Sequence, residues 1–276
     1  MNYVDRTRIA HWKRPFAACG LLAALAVGPQ ALAQQASEIR IGFINPTTGA
    51  FGALGKSARK GMDLAIESSL AGGQAKGVRI VVEERDSAAK TSDAIRFARE
   101  LIQRENVDVL MGGLSSAECL SLQKLAAEVK VAYLPTSGCW ADEFSQAENV
   151  NKYAFRVTAS NKQRNYAFAD WLVKNSGKNW YVIYSDFAYG QSGLKAFREA
   201  MAAAGGNVNG SIGIPFGATD MASYISKIDR SADGLYFVLA GRDPIPPPQE
   251  VGSQGLPRKK KMGWQQSLIV PGNFPQ

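Results

Sequence analysis

What most constrains this chain is an alternation that runs from about residue 38 to residue 239. Short apolar, β-branched runs are each followed by a segment whose apolar residues recur at three- and four-residue spacing. Residues 39–44 read as a strand, followed by the loop NPTTGAFGALG and a helix over 56–69. On that helix Ala58, Met62, Ala65, Ile66 and Ser69 share one face. Residues 78–82 form the next strand, ended by Asp86 and Ser87, and Ser92 is expected to cap a helix over 93–105. Residues 107–111, 118–128, 131–134 and 154–157 then read as strand, helix, strand and short strand. A second series has helices over 164–174, 192–204 and 224–228, and strands over 180–184, 208–214 and 235–239. No fixed-period repeat relates the two.

Parallel strands need crossover connections, and near-continuous apolar strands need cover on both faces. The expected fold is therefore α/β, two doubly wound parallel-sheet lobes joined by a hinge, with the change of lobe near residues 158–161. The expected organisation is a leader over 1–33, a first lobe over 34–157 and a second, incomplete lobe over 158–276, irregular from about 244. Sheets of this kind bind ligands beyond the carboxyl ends of their strands. That makes loops 45–55, 112–117, 136–140 and 185–191, and the chain from 241 onward, the informative ones.

The first residues exclude several function classes. Arg6, Arg8, Lys13 and Arg14 precede the apolar run PFAACGLLAALAV, then Gly28-Pro29 and the small-residue site Ala31-Leu32-Ala33. This is the pattern of a cleavable secretory leader, and the run is shorter than the ~20 residues a spanning helix needs. The mature chain is expected in the periplasm. The only histidine, His11, leaves with the leader. Without histidine there is no Ser-His-Asp triad and no histidine-ligated metal, so neither an enzyme nor a cofactor is expected. Of the net +8, residues 1–33 hold +3 and the run Arg258-Lys259-Lys260-Lys261 holds +4, which leaves +1 for the remainder. No basic face is left for nucleic acid.

The turn GGLSSAECL, residues 112–120, is open to four readings: nucleophile, phosphate cradle, helix cap or anion seat. A nucleophile at Ser115 or Ser116 would need a lysine base, and Lys124 lies out on the helix. One Gly-Gly without a following Gly-Lys-Ser/Thr argues against phosphate. A cap, with Ser116 as the capping serine and Glu118 complementing the helix dipole, and a carboxylate seat remain.

Three stretches carry a resemblance. IRIGFINPTTGAFGALGKSARKGMDLAIE resembles the first strand-loop-helix of the type I periplasmic solute-binding proteins of ABC transporters, the leucine/isoleucine/valine-binding group. GGLSSAECLSLQKLAAEVKVAYLPTSG is similar to their third strand through the loop after the fourth. YSDFAYGQSGLKAFREAMAAAGGNV is similar to the second-lobe strand, its Tyr-Gly turn and the next helix. The resemblance implies an exported component that captures an amino acid or other small carboxylate between its lobes and delivers it to a membrane permease. A ligand-sensing regulator or receptor ectodomain of the same fold is the alternative, and a serine hydrolase a distant third. It further implies that Ser116, beside Ser115, holds the ligand carboxylate. Thr136, Ser137 and Gly138 would meet its polar head, Tyr189 would cover it, and Phe51 and Leu54 would wall it.

Two features depart from the family. Pro244, Pro246, Pro247 and Pro248 stand where relatives continue into a helix, which proline opposes at ~3 kcal/mol per residue. Residues 258–261 are expected as a solvated loop. The second-lobe acid that grips an α-ammonium has no secure counterpart, Asp243 and Gln265 being the nearest. The two cysteines outside the leader, Cys119 and Cys139, are open to a disulfide or to two buried thiols; the layout puts both at one sheet edge, so that a bond would close a ~20-residue loop.

Overall fold

Residues 37–136, 138–215, 218, 222–229, 231–240 and 261–265 are described by a computed structural model of the chain. Residues 1–33, expected as a leader, together with Ser137, Asp243, the proline run and residues 258–260, lie outside the described residues.

The first apolar run makes strand β1 (Ser37–Asn45), whose last five residues are buried. Helix α1 (Gly52–Ala71), strand β2 (Val78–Asp86), helix α2 (Thr91–Gln103), strand β3 (Val109–Gly112), helix α3 (Ser116–Val129) and strand β4 (Ala132–Leu134) follow. The sheet order is β2-β1-β3-β4. Phe43 pairs in parallel with Met111, and Met111 with Leu134. One face packs Ile41 and Phe43 on Met62 of α1, while Ile44 and Leu110 on the other meet Leu101 of α2 and Leu122 of α3.

The second series repeats the plan. It contains α4 (Asn161–Ser176), β5 (Asn179–Ser185), α5 (Ala188–Ala203), β6 (Asn207–Ile214), α6 (Ala222–Ile225), β7 (Gly234–Val238) and β8 (Lys261–Trp264), with sheet order β6-β5-β7-β8. The two lobes share one topology although no sequence period relates them. The second core centres on Trp180, Phe197 and Tyr236, with Phe197 stacked on Tyr236 at 3.8 Å between centroids. Lys261, expected in a solvated loop, instead opens β8 and donates from Nζ to the Asn175 carbonyl at 2.7 Å.

Several boundaries differ from the expected ones for physical reasons. Helix α1 begins at Gly52, upstream of Lys56, because a glycine at position 55 lets the first turn close onto the Pro46 carbonyl. A Cβ there would overlap that oxygen, and the Asn45 side chain donates to Gly55 O at 2.8 Å. Ser92 caps nothing: α2 starts at Thr91 after Lys90, which makes no side-chain cap bond. Ser87 turns the chain earlier, its carbonyl accepting from the Lys90 amide at 2.8 Å and its hydroxyl from the Ala89 amide at 3.3 Å. Residues 154–157 reduce to an isolated bridge between Tyr133 and Ala154, since β4 is only three residues long. Helices α4 and α5 begin three and four residues before the expected starts at Arg164 and Ser192.

One corner of the first lobe is fastened in four ways. Ser115, rather than Ser116, is the N-cap of α3: its hydroxyl accepts from the Glu118 amide at 3.2 Å, and the Glu118 carboxylate accepts from the Ser115 amide at 3.0 Å and hydroxyl at 2.9 Å. Ser-x-x-Glu is thus a closed capping box. Cys119 and Cys139 are joined as a disulfide with Cα atoms 5.5 Å apart. Gly138 lies so close to Leu114 that a Cβ would overlap the Leu114 carbonyl oxygen. The Arg156 guanidinium donates to the carbonyls of Cys139 at 2.8 Å and Ala141 at 2.7 Å. Across the sheet, the Asp86 carboxylate accepts from the amides of Thr47 and Ala88 and from the Thr48 hydroxyl, holding the loop after β1.

Three outcomes are expected. Cys119→Ser lowers the unfolding free energy of oxidised protein by roughly 3 kcal/mol, the closure of a loop of this length, and reductant does the same to the unaltered chain; equal denaturant midpoints would remove the bond from the account. Ser115→Ala costs about 1 kcal/mol in the same assay, the value of an N-cap hydroxyl. Asp86 titrates at about 2 in the folded chain against 3.8 ordinarily, burial raising it and the bonds from Thr48, Ala88 and Thr47 lowering it further. The unfolded state therefore binds the proton first, and the stabilisation, complete above 3.8, is lost as pH falls through about 2. Asp86→Asn should lack this component of the acid-unfolding curve.

Candidate functional site

The loops after β1, β2, β3 and β4 of the first lobe and after β5 of the second meet in one apolar cluster at the carboxyl ends of the strands. Phe51 and Leu114 are buried there with Tyr189, and Leu54, Ala89, Trp140 and Phe187 pack against them. Trp140 meets Tyr189 edge to face at 5.3 Å, and Phe187 lies 6.1 Å from Tyr189. The first lobe supplies Phe51, Leu54, Leu114 and Trp140; Tyr189 and Phe187 come from the second. Tyr189 sits in the first turn of α5 rather than in a loop, because Gly190 lets that turn close onto the Ser185 carbonyl.

Polar groups at this corner divide into engaged and available. Ser115 is engaged by its capping box. The Ser116 hydroxyl accepts weakly from the Ala141 amide at 3.4 Å, which leaves its proton free to donate. The amides of Ser116 and Ala117 open α3 and have no intrahelical acceptor, so they offer donors and the positive end of the helix dipole to an anion. Tyr189, 3% exposed, has a hydroxyl without a hydrogen-bond partner, and the buried Trp140 Nε1 has none either. Burial pushes the Tyr189 phenol well up, and the positive charge of Arg164 acts in the opposite direction. It therefore stays protonated at neutral pH and can donate.

Six of the eight residues nominated from the sequence come together here: Phe51, Leu54, Ser115, Ser116, Gly138 and Tyr189. Gly138 contributes by its backbone contact with Leu114. Thr136 goes elsewhere. It lines an apolar groove with Met62 and Ile66 of α1 and Met111 of β3. Ser137 is not among the described residues. Gln265 does not face the cleft as an ammonium partner. It is buried, accepting from the Asn165 amide at 3.2 Å and donating to the Asn161 side chain, in a network that Tyr236 closes by donating to Asn165 at 2.9 Å.

Sequence reasoning passed over Trp140 and Arg164. The Arg164 guanidinium carbon lies 4.5 Å from the centre of the Trp140 ring, over its face. The signal for both was present. Ser160-x-x-Gln163 is a capping-box pattern, and the structure closes that box. Reading it would have started α4 at Asn161 and turned Arg164 into its first turns. Among the described residues no group of three His, Cys, Asp or Glu side chains could hold a metal ion, and no helix is long and apolar enough to cross a membrane.

Comparison with known proteins agrees with this architecture. The family described as periplasmic binding protein matches residues 38–267. A Leu/Ile/Val-binding protein homolog 7 of Brucella suis biovar 1 (strain 1330) is 30% identical over 220 residues, which cover 75% of this chain and 53% of the relative. The chain thus spans about half the length of the curated relatives it matches. A crystal structure of a periplasmic binding protein from Burkholderia mallei superposes with a TM-score of 0.74 at 27% identity, over 84% of this chain and 61% of that one. A solute-binding protein of an ABC transporter from R. palustris, in complex with benzoate, superposes with a TM-score of 0.73 at 23% identity, over 83% of this chain and 62% of that one, and shares the fold. With two parallel-sheet lobes meeting at the carboxyl ends of their strands, the chain belongs to the periplasmic binding protein family, with the type I fold.

Proposed function

We propose that this chain is the solute-binding component of an ABC transporter, exported after removal of residues 1–33. It captures an amino acid or other small carboxylate between its lobes and delivers it to a membrane permease, without chemistry on the ligand. The observation that carries this reading is the convergence of α3's open amides and the Ser116 hydroxyl with an apolar cluster closed by Tyr189 from the other lobe. A carboxylate at a helix N-terminus meets aligned amides and a partial positive charge, worth ~0.3–1 kcal/mol exposed and up to ~2 kcal/mol where partly buried. Bonds from a hydroxyl to that carboxylate are charge-assisted. The aromatic and aliphatic walls exclude water, which strengthens both effects. Gly138, Phe51 and Leu54 shape the pocket in this reading, and the lobes divide near residues 158–161.

Calorimetry and thermal melting with a panel of amino acids, aliphatic acids and benzoates test the reading. A true ligand at 100-fold its Kd stabilises by about 2.7 kcal/mol, a shift of several degrees for a chain of this size. Ser116→Ala should weaken that ligand roughly tenfold or more, the loss of a hydrogen bond to a charged group. Cooperatively melting protein that shifts with no member of the panel would overturn the proposal. N-terminal mass spectrometry of exported protein should find Gln34 first.

A further inference from the structure

Arg164 stands at this same cleft and has no ion-pair partner among the described residues. Its Nε donates to the Ala159 carbonyl at 3.3 Å and its guanidinium stacks on Trp140, while its two terminal nitrogens have no hydrogen-bond or ion-pair partner among the described residues. Beside it lie two further unpaired donors, the buried Tyr189 hydroxyl and the buried Trp140 Nε1. Trp140, 4.5 Å beneath the Arg164 guanidinium, meets the Tyr189 ring edge to face at 5.3 Å, which places all three in one neighbourhood. A half-buried guanidinium flanked by unpaired, buried donors is costly unless an acceptor fills the space.

Most carboxylates around the cleft are turned to protein donors, while Glu118 Oε1 and Glu143 Oε2 are buried without a hydrogen-bond partner among the described residues. Asp86 accepts from Thr47, Thr48 and Ala88, Asp142 from the Lys162 amide, Asp186 from Gln191, and the fully buried Glu118 from Ser115. None of them is bonded to, or stacked on, the group of Trp140, Tyr189 and Arg164. The amides of Asn161, Asn165 and Gln265 close on one another. A ligand's ammonium placed against this group would thus meet the positive charge of Arg164, and no described acid is bonded to Arg164, Trp140 or Tyr189.

Resting on the solute-binding reading above, we propose that Arg164 is the specificity-determining residue of this cleft. Braced on Trp140 beside the Tyr189 hydroxyl, its guanidinium takes an acceptor group of the ligand. The cleft therefore binds acids that lack an α-ammonium in preference to the corresponding amino acids. The planar fork of a guanidinium suits a carboxylate or a ring oxygen, and the stack on Trp140 holds it in place before the ligand arrives.

The test compares pairs that differ only in the ammonium: 3-phenylpropanoate with L-phenylalanine, and 4-methylpentanoate with L-leucine, with benzoate and 4-hydroxybenzoate alongside, by calorimetry on the full chain. The desamino acid should bind at least roughly tenfold tighter in each pair, and Arg164→Gln should lose roughly 10- to 100-fold for these acids, the range for removing a hydrogen bond to a charged group. Arg164→Lys, which keeps the charge but not the fork, should fall between. Equal or tighter binding of either amino acid overturns the inference and leaves the solute-binding reading intact. Unchanged affinity in folded Arg164→Gln also overturns it. If Arg164→Gln does not fold, Arg164→Lys and the pairwise preference of the unaltered chain decide. Cooperatively melting protein that binds no member of the set overturns both this inference and the reading on which it rests.

Discussion

The contact between Gly138 and the Leu114 carbonyl, with no room for a side chain between them, sets the position of everything else at the cleft. Leu114 leads into Ser115, so the turn after β3 and the loop after β4 move as one piece. The Cys119–Cys139 bond ties the same two segments one helical turn deeper, and Arg156 binds the carbonyls of Cys139 and Ala141 from outside. Parallel strands deliver these loops to a common edge, but strands alone do not orient side chains. The corner does so, presenting the Trp140 ring to Tyr189 of the second lobe. Precise placement of donors in advance is what separates a binding site from a polar surface.

The same corner shows how one motif can hold two roles without conflict. Adjacent serines at a helix start compete for the cap, and the sequence reading assigned it to Ser116. The structure gives the cap to Ser115, because only a residue three before Glu118 can complete the reciprocal box. That leaves Ser116 inside the first turn, with its hydroxyl proton unclaimed and its amide without an intrahelical acceptor. The second lobe answers with Tyr189, brought close by a helix start that depends on glycine at position 190.

Apolar periodicity revealed the strands and the middle of each helix, since it records the buried face. It misjudged the helix starts for one recurring reason. The first turns of α1, α4 and α5 face loops or the cleft, and there Gly52 and Gly55, Ser160 and Gln163, or Tyr189 and Gly190 replace the periodic apolar residues. Residues such as Trp140 and Arg164 escaped notice because their importance comes from what lies opposite them in space. Thr136 was misplaced for the converse reason: a few residues from Trp140 in sequence, it faces the groove beside α1.

By itself the sequence determined the α/β class, the two series of elements, the absence of histidine beyond His11 and the serine-bearing turn after the third strand, because composition and periodicity are local properties. Only the tertiary structure decided which serine caps, where Thr136 and Gln265 point, and that an uncompensated Arg164 stands against Trp140 and Tyr189 at the cleft. Those outcomes depend on which atoms meet across the edges of two sheets, and hydrogen bonds and close contacts between residues 20 to 100 positions apart are written in no short stretch of the chain.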